Sequence, residues 1–263
     1  MPHALVNGIT LHYRIDAAAN HDAPWLVLSN SLGSDLSMWA PQITAFAQHF
    51  RVLRYDTRGH GHSDAPRGPY SIEQLCGDVI GLLDALKIER AHFCGLSMGG
   101  LTGVALGARH GHRFERLVLC NTAARIGSPQ VWKPRAANCR ANGMPAMADT
   151  ILPRWFTPGF MAREPLVIAQ MRDVLAHTDS EGYAANCDAI DATDLASEVA
   201  SIAAPTLVIA GTHDPAAPPA QGRQLATALP RGRYAELDAS HLSNIELAEL
   251  FTHTVLDFLQ APA

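Results

Sequence analysis

Gly95-Leu96-Ser97-Met98-Gly99 follows the short apolar run Ala91-His92-Phe93-Cys94 and precedes a stretch of small residues, Gly100-Leu101-Thr102-Gly103-Val104-Ala105-Leu106-Gly107-Ala108. A strand, a glycine-flanked serine and a helix of small residues form the layout of a nucleophile elbow. So tight a strand-to-helix turn holds the serine in strained backbone, and a Cβ at either flanking glycine would collide with the neighbouring helix or strand. The serine oxygen then projects clear of the sheet, above a helix N-terminus that favours developing negative charge. Three fixed positions recur by chance in roughly one chain in ten of this length. The surrounding sequence must carry the rest.

Outward from the pentapeptide the chain alternates strands and helices. Val6 to Ile15 alternates in polarity around Asn7-Gly8, which predicts an opening β-hairpin. Trp25-Leu26-Val27-Leu28 is a short continuous apolar run, as expected of a strand buried on both faces. Arg51–Tyr55, Arg116–Cys120, Thr206–Ala210 and Arg233–Leu237 have the same character, with helical patterns between them such as Ser71–Leu86 and Ile245–Leu259. This predicts an α/β fold with a mostly parallel sheet and helices on both faces. From about Arg125 to Ser197 no strand pattern occurs, only helical segments punctuated by prolines. We therefore expect a core of residues 1–124 and 198–263, with a helical cap of residues 125–197 inserted after the sixth strand.

Composition narrows the function. The chain has 263 residues, enough for one large α/β domain. Its charged fraction of 17 % is below the average of about 25 %. A formal net charge of −5 speaks against nucleic acid or an anionic membrane as partner. No basic and apolar leader opens the sequence, and no apolar run reaches the roughly 18 residues of a membrane span. Cys76, Cys94, Cys120, Cys139 and Cys187 are scattered and form no CxxC pair, so free thiols in a reducing cytoplasm are expected. The histidines lack ligand spacing, so neither a metal nor another cofactor is expected.

Charge in the cap is segregated. Arg125, Lys133, Arg135, Arg140, Arg154, Arg163 and Arg172 face only Asp149 and Glu164 in the first part. Asp173, Asp179, Glu181, Asp188, Asp191, Asp194 and Glu198 follow, with no lysine or arginine among them. Either the two halves pair on a solvated surface, or one or two arginines turn inward to bind an anionic substrate.

A serine nucleophile needs a base, and the base needs an acid to orient it. Downstream of Ser97, Gly211-Thr212-His213-Asp214-Pro215 follows one strand and Leu237-Asp238-Ala239-Ser240-His241 follows the next. Asp214 and His241 thus sit at the carboxyl edge of the sheet, in the order Ser, Asp, His. Asp238, on the approach to His241, is the weaker acid, and His213 breaks the expected order as base. An oxyanion hole needs the amide after the nucleophile, Met98, and one from the loop after an early strand, where Leu32 is the donor by position.

The whole chain resembles the α/β-hydrolases, and most of all the 3-oxoadipate enol-lactonases. Leu28 to Trp39 and the cap segment Leu152-Pro153-Arg154-Trp155-Phe156-Thr157-Pro158-Gly159-Phe160 are similar to the enol-lactonase versions. Many superfamily members carry His-Gly where this chain has Asn30-Ser31. Tyr55-Asp56-Thr57-Arg58-Gly59-His60-Gly61-His62-Ser63 is shared widely across the superfamily and reads as a brace for the sheet. The resemblance implies that water opens an enol-lactone bearing a carboxymethyl arm, giving 3-oxoadipate in the β-ketoadipate pathway of aromatic catabolism. A carboxylate-bearing small molecule would then need a cap cation, for which we favour Arg135 after Pro134, with Trp155 as apolar wall. A carboxylesterase, a cofactor-free perhydrolase of the haloperoxidase type and a carbon–carbon hydrolase are the enzymatic rivals. A ligand-binding receptor is the rival from another class. Oligomeric state is not legible.

Overall fold

The computed structural model describes residues 2–16 and 22–262; residues 1, 17–21 and 263, parts of the expected core segments, lie outside the described residues. Among the described residues eight strands form one sheet: β1 (His3–Val6), β2 (Ile9–Asp16), β3 (Trp25–Ser29), β4 (Arg51–Tyr55), β5 (Ala91–Leu96), β6 (Phe114–Cys120), β7 (Thr206–Gly211) and β8 (Gly232–Leu237). Their order is β1-β2-β4-β3-β5-β6-β7-β8. The pairs β1–β2 and β2–β4 are antiparallel and the others parallel. The Asn7-Gly8 hairpin is present, both residues having positive φ (47° and 73°), as a type I′ turn requires. Every residue of β5 and β7 is buried, which is why these strands read as continuous apolar runs.

Among the described residues three α-helices accompany the first six strands: α1 (Ala40–Phe46), α2 (Ile72–Ala85) and α3 (Met98–Arg109). Ser71 caps α2 through a reciprocal bond with Gln74, so the helix starts where the sequence places it. Between β6 and β7 lie α4 (Pro129–Asn142), α5 (Ala148–Trp155), α6 (Pro158–Arg163), α7 (Pro165–His177) and α8 (Ser180–Asp191). The chain closes with α9 (Pro219–Ala228), α10 (Ser243–Glu246) and α11 (Ala248–Leu259). The expected single helix over Ile245–Leu259 is broken at Leu247. The break lets Ser243, Asn244 and Glu246 turn into the core, where all three are buried.

The prolines of the cap do not all break helices. Pro129, Pro158 and Pro165 occupy the first turn of a helix, where the missing N–H would be unpaired anyway. Pro134 and Pro153 lie inside α4 and α5. Arg135, expected at the start of the first cap helix, is therefore in the interior of α4. Burial of Trp132, Ala136 and Cys139 holds that helix together despite the bond lost at Pro134. No helix among the described residues is long and apolar enough to cross a membrane.

Candidate active site

Ser97 stands between β5 and α3 with φ 57° and ψ −113°, a conformation strained for a residue with a side chain. Its backbone is held on both sides. The N–H donates to the Cys120 carbonyl at 2.8 Å, and the carbonyl accepts from Leu101 N–H at 2.8 Å and Thr122 Oγ1 at 2.9 Å. A Cβ on Gly95 would run into the Gly99 carbonyl, and one on Gly99 into the carbonyl of Ser29. Both glycines are thus required by close approach.

Asp214 and His241 come from the loops after β7 and β8, and both are buried. His241 Nδ1 and Asp214 Oδ2 lie 2.7 Å apart. The carboxylate also accepts the N–H groups of Ala216 (2.7 Å) and Ala217 (3.0 Å) and the Asn121 amide (3.0 Å). Burial pushes the Asp214 carboxyl up, but His241 and these donors outweigh it and hold the group below the usual carboxylate range. Asp238 is exposed and pairs with exposed His213 at 2.8 Å, so the rival acid and rival base engage each other at the surface.

Asn121 escaped the sequence reading. It sits one residue past β6 at positive φ, donates to Asp214 and the Ser240 carbonyl (3.2 Å), and accepts from Ser243 Oγ at 2.6 Å. Its place at the carboxyl edge of a strand was the available signal.

The loop after β3 approaches the elbow through one bond, from Gly99 N–H to the Asn30 carbonyl at 3.0 Å. The amides on either side of Leu32 are committed. Ser31 N–H points to Met38 Sδ at 3.3 Å, and Gly33 N–H donates to His60 Nε2 at 2.8 Å. Met98 opens α3, so its N–H has no acceptor within the helix. The Asn30 side chain, standing where many superfamily members have histidine, donates to the Tyr55 carbonyl and accepts from Trp39 Nε1. Asp56 takes the Leu36 N–H at 2.8 Å. The Tyr55–Ser63 segment therefore braces this loop, and His60 reaches it directly.

Ser97, His241 and Leu32 line one cavity with Ser31, Ala216 and the cap residues Ile126, Trp132, Arg135, Ile151, Arg154, Trp155 and Tyr183. Its volume is about 30 Å³, room for only two or three waters. A larger groove of about 870 Å³, between α6–α7 and α10–α11, contains none of the candidate catalytic side chains.

Some cap arginines pair with carboxylates at the surface, and two others turn toward the cavity. Arg125 pairs with Asp194, and Arg140 with Glu181 and Asp188, across the two halves. Arg163 and Arg172 pair with Glu164 and Asp149. Arg135 and Arg154 have no carboxylate partner among the described residues and face the cavity. Arg135 lies 4.9 Å from the Trp132 ring centre and against the Tyr183 hydroxyl. Burial and the adjacent Arg135 lower the Arg154 guanidinium from its ordinary value. Two cations sharing a small cavity repel each other, and an anion between them relieves that. No group of three or more His, Cys, Asp or Glu among the described residues is arranged to hold a metal.

The family model for the alpha/beta hydrolase fold matches residues 24–247. The chain is 45 % identical to 3-oxoadipate enol-lactonase 2 of Acinetobacter baylyi over 89 % of this chain and 88 % of that protein. It is 32 % identical to a putative carbamate hydrolase, RutD, of Stutzerimonas stutzeri, over 95 % and 96 % of the two chains. The crystal structure of the enol-lactonase from Burkholderia xenovorans LB400 superposes with a TM-score of 0.98 at 68 % identity, covering 99 % of this chain and 100 % of that one. On this match over most of its length and these identities, the chain belongs to the alpha/beta hydrolase family and groups there with the 3-oxoadipate enol-lactonases.

Proposed function

We propose that the protein opens 3-oxoadipate enol-lactone with water to give 3-oxoadipate, a step of aromatic catabolism. The observation that carries the reading is the joining, in one cavity, of a strained serine, a histidine oriented by a buried carboxylate, and two arginines without carboxylate partners. The first three groups suit acyl transfer; the arginines suit an acyl substrate that carries a negative charge.

Asp214 occupies His241 Nδ1, which leaves Nε2 to take the Ser97 proton as Oγ attacks the lactone carbonyl. The Leu32 and Met98 amides receive the developing oxyanion. Collapse breaks the ring C–O bond. The leaving oxygen departs as an enolate, which needs less acid assistance than an alkoxide; it takes the proton that His241 received from Ser97, the enol tautomerises to the ketone, and His241 is left neutral. His241 then activates water against the acyl-enzyme, returning Ser97 with its proton and releasing the acid. Arg135 and Arg154 hold the carboxymethyl arm, with Trp155 against the ring. A cavity of about 30 Å³ is too small for the lactone and its arm, so groups lining it, Arg135, Arg154 and Trp155 among them, move apart to admit it. We place the reaction in the cytoplasm, supported by five cysteines that are all free and buried.

Turnover of a carboxylated enol-lactone against a neutral aryl ester of similar size tests this reading. The lactone is the better substrate by kcat/KM, and Ser97→Ala loses about 10⁴-fold or more on both. A preference for the neutral ester points to a general esterase. A folded Ser97→Ala protein keeping a tenth of its activity overturns the mechanism.

A further inference from the structure

Glu246, the last residue of α10, is buried and takes no part in the chemistry above. Its carboxylate accepts the N–H of Ser240, the residue before His241, at 2.9 Å. The same carboxylate accepts the Thr157 N–H at 3.3 Å and the Thr157 hydroxyl. Thr157 is the N-cap of α6, two residues beyond the end of α5. Two more bonds tie these segments. Ser240 Oγ donates to the Arg154 carbonyl at 3.2 Å, and the Leu242 N–H donates to the Trp155 carbonyl at 3.0 Å. The residues flanking His241 thus grip the cap at Arg154, Trp155 and, through Glu246, Thr157.

We propose that Glu246 is a positioning residue that couples closure of the cap to the placement of His241. The proposal rests on the reading of Ser97 and His241 as the hydrolytic pair. Admitting substrate to so small a cavity displaces groups that line it, Arg154 and Trp155 among them, and each cycle re-seats them. A buried carboxylate is costly without donors, and here the donors come from both sides of the joint. Closing the cap therefore restores the site in which the carboxylate is satisfied, and that same carboxylate holds the backbone next to His241. Glutamine cannot replace it fully: one oxygen serves as acceptor while the NH₂ group faces another donor.

The test assays Glu246→Gln and Thr157→Val with the carboxylated lactone and the neutral ester. A serine-reactive phosphonate titrates the competent sites, so rates refer to folded enzyme. Glu246→Gln is expected to lower kcat per titrated site by about tenfold on both substrates, the loss of roughly one charged hydrogen bond. It should also raise KM for the carboxylated lactone alone. Thr157→Val cuts only the cap side, and serves should Glu246→Gln fail to fold. Its KM for the lactone should rise by about threefold, with kcat on the neutral ester within about twofold of wild type. Wild-type kcat per site and KM in Glu246→Gln, whatever its melting temperature, would reduce Glu246 to a structural residue and overturn the proposal. So would a Thr157→Val enzyme whose kcat falls equally on both substrates with KM unchanged. A Ser97→Ala enzyme that kept its turnover would bring down the hydrolytic reading itself.

Discussion

The carboxyl edge of the sheet and the cap meet over one cavity but place their groups by different means. At the sheet edge, backbone does the placing. Ser97 is pinned at positive φ between β5 and α3, and Asp214 is fixed by two amides of its own loop as well as by Asn121 and His241. In the cap, side chains on helices do it. Arg135 rests on Trp132, and Arg154 sits near the end of an eight-residue helix whose last carbonyls are held by the His241 loop. On the function proposed above, the contrast is a division of labour: the edge would supply acyl transfer to any ester that reaches it, and the cap would select the charge of the substrate. Damage to the edge should then be large and blind to substrate, and damage to the cap smaller and selective.

The largest effect tests the edge. Asp214→Asn turns the His241 imidazole toward the wrong tautomer and should cost on the order of 10⁴-fold in kcat on charged and neutral substrates alike. Asp238→Asn, at an exposed position paired among the described residues with exposed His213 and Thr212, should stay within about twofold. Steady-state rates of the two variants check this. The reverse ranking moves the acid to Asp238 and leaves the four bonds to Asp214 without a catalytic meaning.

The same division explains what was legible in the sequence. Backbone constraints leave local marks: the glycines around Ser97, Asn7-Gly8 at the hairpin, and the apolar runs that put Asp214 and His241 just past successive strands. Partnerships across the chain leave at most a position, as at Asn121 on a strand's carboxyl edge, and never name the partner. Asn121 reaches Asp214, His60 reaches Gly33 and Glu246 reaches Thr157, and no period or spacing announces such pairs. Proline misled in the cap because an interior proline costs one hydrogen bond, which tertiary burial can offset. That is why Pro134 does not begin the helix that carries Arg135. One cap signal was present. Trp132, Arg135, Ala136 and Cys139 recur at helical spacing on one face, and three of the four are buried, so Arg135 shares the inward side of α4. The approach of Arg154, from another helix, had no comparable mark.

A smaller and selective effect tests the cap. Arg135→Ala and Arg154→Ala should each lower kcat/KM for the carboxylated lactone by about 2–3 kcal/mol, the scale of a charged hydrogen bond, and leave a neutral ester nearly unaffected. The double variant should lose less than the sum, because the two arginines share one anion. Equal losses on both substrates would make the arginines supports of the cap, and the division of labour would fail. No loss on either would assign the carboxylate to other groups.

The smallest effect lies at the joint of the two regions. His60 belongs to the core loop after β4, yet its ring faces Tyr183 of the cap helix α8. Because Nε2 accepts from Gly33, the proton is on Nδ1, which faces the Arg58 carbonyl at 3.3 Å. Burial lowers the His60 pKa below its usual value, against the opposing hydrogen bond to Arg58 and the negative charges of Asp56, Asp35 and Asp179. The unfolded chain therefore takes up a proton near its ordinary value of about 6.5 while the folded protein resists it. The stability His60 contributes is complete above that pH and declines as pH falls toward the folded value. His60→Gln should unfold more easily at pH 7.5, by about 1 kcal/mol for the lost Gly33 bond, yet lose less further stability on going to pH 5.5 than wild type does. His92, also buried and lowered in the same direction, remains in both proteins and cancels in the difference. Urea midpoints at the two pH values give the comparison. Parallel shifts in the two proteins would show that His60 contributes packing alone, and that its bond to the loop carrying Leu32 is not held against protonation.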